Sequence, residues 1–309
     1  MKPPKMPTLN PDDIKNLEVI PAGKDARMGL SVPEIVMTYG GLKGMPSRKS
    51  LSKTTMAKLM YEMKKSYTSI TKNPKNYKTT MDDATLQELQ TYIRKYPIDD
   101  IGFTTVDPNL IFKDRVILHQ HAIVLIMEMK KNKIDTAPSP DAQREIMRTY
   151  YELGRVANKI CDFLRKRGYS AQAGPALGGD VNYPRLAEKA GLGAIGKHGL
   201  LIHPVYGPSL RIGAVYTSIE NLPITDENEH LWLQSFCSTC KQCVKKCPAN
   251  AIYNEDIIHP DGSRTATDYK LCAVPFAQQY GCTLCVKNCI FYKGDYHKLR
   301  SKLQCEHLT

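Results

Sequence analysis

Eight of the ten cysteines in this 309-residue chain fall between positions 237 and 289, at spacings that suit metal binding. The first run is Cys237-x2-Cys240-x2-Cys243-x3-Cys247, with Pro248 directly after it. Cys272 then stands alone, and Cys282-x2-Cys285-x3-Cys289 closes the series. Thiolates are soft ligands that suit iron–sulfur clusters. Eight of them supply two 4Fe–4S clusters at four thiolates each. Zinc sites use paired C-x2-C knuckles, and three cysteines at successive x2 spacings do not fit that pattern. Disulfides need an oxidising compartment. The chemistry indicated is electron transfer, and the cysteines name no substrate.

The run C-x2-C-x2-C-x3-C-P is that of bacterial ferredoxins, in which the fourth cysteine crosses to the other cluster. On that rule Cys237, Cys240, Cys243 and Cys289 hold one cluster, and Cys247, Cys272, Cys282 and Cys285 hold the other. Pro248 turns the chain just after Cys247. Cys161 sits beside an apolar helical stripe and is expected to pack as a small hydrophobe. Cys305 lies in a polar tail and is expected to be a free, exposed thiol.

A second stretch with chemical content runs from Gly178 to Arg211. Gly191, Gly193 and Gly196 spell G-x-G-x-x-G, the pattern of a dinucleotide loop. That fingerprint should follow a strand and open a helix. Here a predicted helix, Pro184 to Lys189, precedes it, and a predicted strand, Leu200 to Ile202, follows. A dinucleotide loop is therefore rejected. The glycines are expected to let the backbone approach a large flat ligand. His198 and His203 flank the strand and are expected to be structural.

The elements that must position these residues are legible in part. Asp82 and Asp83 open a helix whose stripe is Leu86, Leu89 and Ile93, ended by Tyr96-Pro97. Residues 100–106 read as a strand ending at Asp107-Pro108. The continuous apolar run 121–129 reads as a buried central strand. A loop at 136–140 leads into a long helix over about 141–167, buried along Leu153, Val156, Ala157, Ile160 and Leu164. Gly168 lies just past its end. Residues 211–217 form another strand. Residues 58–64 read as a short helix, with Met60 and Met63 as packing residues. Residues 1–30 read as an extended arm.

From Ala190 to Ile202, with Tyr206-Gly-Pro208 and Arg211-Ile-Gly-Ala-Val-Tyr-Thr217, the chain resembles the corrinoid domain of reductive dehalogenases. It is also similar to the epoxyqueuosine reductases that modify tRNA. The cysteine pattern continues the match, which covers about residues 98–292. The resemblance implies an α+β fold: a nitroreductase-like corrinoid-binding domain followed by a bacterial ferredoxin-like domain with two 4Fe–4S clusters. It implies base-off cobalamin, with electrons relayed from the clusters to a small organic substrate. Asn182, Gly191, Gly193, Gly196, Tyr206 and Gly207 are the implied cofactor-binding positions. Tyr183 is the implied proton donor, because dehalogenases use a tyrosine. Lys197 and Arg211 are cations that would lower its pKa or hold a departing anion. Asp180 is the fallback donor. Two alternatives stand beside this: an electron-transfer module without a corrinoid, and a tRNA-acting reductase.

Length allows about two domains. The expected division is 1–80, a basic N-terminal extension; 81–225, the corrinoid-binding-like domain; 226–295, the ferredoxin-like domain; and 296–309, a tail. The composition is 42% hydrophobic and 24% charged, ordinary for a globular protein. Net charge is +12, and residues 1–80 hold fifteen Lys and Arg against six Asp and Glu. Such a charge suits a solvated basic face, or attracts tRNA, an anionic lipid surface or an acidic electron donor; the expected partner is a low-potential donor such as a ferredoxin or flavodoxin, with tRNA not favoured. No apolar run approaches the length of a membrane span. The first residues carry no apolar signal core, so a cytoplasmic location is expected.

Overall fold

The structure is a computed structural model describing residues 6–27, 29–41, 52–175, 177–225, 227–260, 262 and 264–306, with side chains described through residue 302. The expectation for the Cys305 thiol lies outside these described side chains.

The strand His121–Glu128 is apolar on both faces and takes a central place in a four-stranded sheet. It pairs antiparallel with Asp100–Thr105 on one side and Leu210–Thr217 on the other. Ala171–Gly174 adds antiparallel to the outer side of Leu210–Thr217. Successive side chains on a strand point to opposite faces. Ile123, Leu125 and Met127 therefore enter one core, and Ala122, Val124 and Ile126 enter the other.

The first core is covered by the helix Pro140–Lys166. Its N-cap is Ser139, whose side chain accepts from the Ala142 amide, and Gly168 follows its end at φ +87°. Leu153, Val156, Ala157, Ile160 and Leu164 are fully buried along one stripe, as their spacing requires. Cys161 lies in the same core, and burial pushes its thiol up to about 12. The helix Asp83–Ile93 joins this layer, with Tyr92 stacked on Phe163. The opposite core is closed by the helix Tyr183–Lys189.

The described part of residues 1–80 does not stand apart from this layer. Lys53–Thr68 is a helix of 16 residues, longer than the 58–64 segment expected, and it packs along Pro140–Lys166. Lys65 pairs with Asp162 at 2.9 Å, and Asn158 donates to the Glu62 carbonyl at 2.9 Å. Residues 20–21 pair with 116–117. The helix Val32–Tyr39 lies against the helix Tyr269–Gln278 of the cysteine-rich part. Tyr39 meets Tyr269 edge-on at 5.8 Å, and a Cβ on Gly40 would collide with Ala277.

The cysteine-rich part carries the helices Trp232–Cys240, Gln242–Lys245, Leu284–Lys287 and Ile290–Lys293, and the hairpin Ile252–Ile258 with Arg264–Thr267. A third core joins it to the sheet domain: Met129, Ile146, Ala194 and Ile202 pack with Leu233, Val286 and Phe291. Residues 296–306 form a helix, and Tyr296 is buried at its start, bonded to His230 and Trp232.

Candidate functional site: two thiol sets and an adjoining cavity

The cysteines fall into two sets in space. Cys237, Cys240, Cys243 and Cys289 line one cavity of about 280 Å³. Cys272 and Cys285 each sense the charges of Cys282 and Cys247. Cys285 also senses Cys243, so the two sets lie side by side. Cys289 of the last run thus faces the first cavity, and Cys247 of the first run lies near Cys272 and Cys285. In the Cys240-x2-Cys243 and Cys282-x2-Cys285 turns the residue after the first cysteine is left-handed: Lys241 at φ +48° and Thr283 at φ +61°. Non-glycine residues hold that conformation only where surroundings impose it, as at ligand clamps. A short helix then presents the next cysteine.

Burial pushes the Cys237 and Cys289 thiols up to about 12, and Cys243 and Cys272 up to about 11. Backbone amides act the other way. The N–H groups of Lys197, Val244 and Leu284 point at Cys237, Cys243 and Cys282, and Ala251 donates to the Cys247 sulfur at 3.3 Å. Buried thiols of this kind ionise only against a bound cation. Among the described residues, no three His, Cys, Asp or Glu form a group that would hold a single metal ion.

The wall of the 280 Å³ cavity is completed from the sheet domain by Lys197 and His198. They sit in the turn between the short strands Ala194–Ile195 and Leu201–Ile202. The Lys197 ammonium is buried and pairs with Asp256 at 2.6 Å. His198 accepts the Leu200 amide at Nδ1, 3.1 Å away, and burial pushes its imidazole down to about 4.

Beyond this turn opens a larger cavity, about 1130 Å³ counting the solvent at its open mouth. Asn182, Arg185, Gly196 and Lys197 line it from the sheet domain, and Cys237, Asp256 and Arg264 from the cysteine-rich part. Lys197 and Cys237 therefore wall both cavities. Asn182 caps the helix Tyr183–Lys189 by accepting from the Arg185 amide.

The remaining expected site residues lie elsewhere. Tyr183 packs in the second core and donates to the Pro175 carbonyl at 3.0 Å, and burial raises its phenol far above the usual range. Asp180 accepts from Tyr67 at 3.1 Å and lies 3.6 Å from Arg115. Its burial outweighs that cation and raises the carboxyl to about 7. Arg115 is shared with Glu34 at 2.9 Å. Arg211 lies over the Tyr150 ring at 4.7 Å. Tyr206 stacks on His203, which bonds to Asp100. The glycines make room for protein atoms. A Cβ on Gly193 would collide with the Ile202 carbonyl, one on Gly207 with the Phe291 carbonyl, and one on Gly191 would press on Thr225. Asp256 and Arg264 carried no signal in the sequence, since an isolated acid on a hairpin 59 residues after its lysine has no local pattern.

A model of the 4Fe-4S binding domain matches residues 231–253. A tetrachloroethene reductive dehalogenase of Desulfitobacterium hafniense is 37% identical over 148 residues, 47% of this chain and 26% of that protein. An epoxyqueuosine reductase of Listeria monocytogenes is 26% identical over 255 residues, 68% of this chain and 66% of that protein. The chain is a relative of the reductive dehalogenases and epoxyqueuosine reductases. It spans about a quarter of the length of the first curated dehalogenases it matches. A solved reductive dehalogenase described as performing B12-dependent dehalogenation aligns with this dehalogenase relative at a TM-score of 0.70, covering 94% of this chain and 45% of that one. A catabolic reductive dehalogenase aligns at 0.67, covering 93% and 45%. Both are 17% identical to it, so the likeness is one of fold.

Proposed function

We propose that this dehalogenase relative is an iron–sulfur oxidoreductase that carries electrons from two 4Fe–4S clusters to a small organic substrate reduced in the larger cavity. The observation that carries this is the shared wall: Cys237 borders both the four-thiol cavity and the larger one. An electron leaving the cluster on Cys237 has no further protein layer to cross.

The residues fit both cofactor types. Four thiols around one cavity, with amides aimed at their sulfurs, suit a cluster. The larger cavity suits a corrinoid in its polar lining, since Asn182, Arg185 and Arg264 offer partners for amide arms and a phosphate. A corrinoid bound there would supply the difficult bond cleavage.

The chain's own contribution follows from the lining. Lys197, held by Asp256, presents a fixed positive charge for a departing anion. Tyr183 donates to the Pro175 carbonyl and Asp180 accepts from Tyr67, so neither stands on the cavity wall. Anaerobic purification with cobalamin supplied tests this reading. The expected result is about eight iron atoms and one cobalt per chain. Iron without cobalt would leave only an electron-relay module.

A further inference from the structure

His198 is a buried imidazole whose two nitrogens are unequally served. Nδ1 accepts the Leu200 amide at 3.1 Å, so the ring proton resides on Nε2. Among the described residues Nε2 has no hydrogen-bond partner. Leaving such a buried donor unpaired is costly. The ring borders the cavity of Cys237, Cys240, Cys243 and Cys289. Gly196 makes the ring's position possible, since a Cβ there would press on His198 Cε1 and Ile202.

We propose that His198 donates its Nε2–H to a sulfur of the cluster held by these four cysteines, and thereby raises that cluster's reduction potential relative to the other. The proposal rests on the cluster reading given above. A reduced cluster carries more negative charge on its sulfurs, so a donor stabilises the reduced state more than the oxidised one. Hydrogen bonds to the sulfurs and exclusion of solvent are among the terms that set cluster potentials. His198 lines the cavity of the first thiol set. The effect therefore separates the two potentials and draws the electron towards the larger cavity.

The test is an anaerobic redox titration of the full chain, followed by EPR, with iron content checked beforehand. His198→Phe keeps a ring and removes the donor. It should lower the midpoint of one cluster and leave the other in place. His198→Gln, which keeps an N–H at a similar reach, should restore part of the shift. An iron-replete Phe variant with both midpoints unmoved, or with both moved alike, overturns the proposal. Should the Phe variant lose its iron, pulsed EPR on the unaltered chain labelled with 15N-histidine decides the matter. A weak histidine nitrogen coupling to one reduced cluster is expected, and its absence overturns the proposal. An unaltered chain that holds no iron sinks the cluster reading, and this proposal with it.

Discussion

Lys197 works through both its ends. Its amide points at the Cys237 sulfur, and its ammonium pairs with Asp256. Lys197→Met removes only the second contact and leaves a mostly buried carboxylate alone. A stability loss of about 1–3 kcal/mol is expected in thermal melts, less than for a fully buried pair because Asp256 keeps some solvent. Adding Asp256→Leu should recover part of the loss. Iron content should hold in both variants, since the amide remains. Asp180 gives a pH prediction. Its carboxyl is raised by burial from 3.8 to about 7, so the fold binds a proton that the unfolded chain releases. Stability from this group is therefore present at low pH and lost as pH rises towards 7. Asp180→Asn should gain melting temperature relative to the unaltered chain between pH 5.5 and 8, and a constant difference would count against this. At this scale the sequence was legible where spacing carries the chemistry, as in the cysteines. It was not legible for Asp256 or for the orphan nitrogen of His198, because those depend on what faces them.

Among the elements, the tightest fits occur where a glycine admits a neighbouring backbone. Gly207 has φ +56°, and a Cβ there would collide with the Phe291 carbonyl, two residues after Cys289. Gly207→Ala combines strain with a clash against backbone, which together cost about 2–4 kcal/mol. Iron should also leave this variant faster under a chelator. Gly29→Ala is the control, since nothing lies within 4 Å of its added carbon, and it should stay within about 0.5 kcal/mol of the parent. The same geometry explains why the glycine block suggested a ligand. A glycine that admits a carbonyl and one that admits a macrocycle are identical in sequence. The central strand and the long helix were legible because each is apolar enough to bury along its whole length. The helix Lys53–Thr68 extends well beyond the 58–64 that its sequence pattern predicts. Polar residues interrupt its stripe, and packing on Pro140–Lys166 supplies what its own sequence lacks.

Across the whole molecule, the segment before residue 42 ties the two parts together. Glu34 neutralises Arg115 in the sheet domain, and Tyr39 and Gly40 rest on the helix that carries Cys272. Removing residues 1–51 would uncover Ala273 and Ala277 and leave Arg115 with one distant carboxylate. The expected outcome is loss of iron to a chelator in two phases, the faster one accounting for about half of the metal and belonging to the Cys272 set. Equal lability of all the iron would oppose this. Charge counting could not anticipate the role, because a basic composition says nothing about which face an arm covers. Among the described residues no helix is long and apolar enough to cross a membrane.

The turn that carries Lys197 and His198 is held on one side by the sheet domain and on the other by an apolar core common to both parts. Interfaces cored in this way do not hinge during turnover. The place of Cys237 on the wall of the larger cavity is thus a constant of the fold. Turnover limited by that electron step should be indifferent to solvent viscosity, whereas a relay that swings its clusters into place would slow in proportion to it.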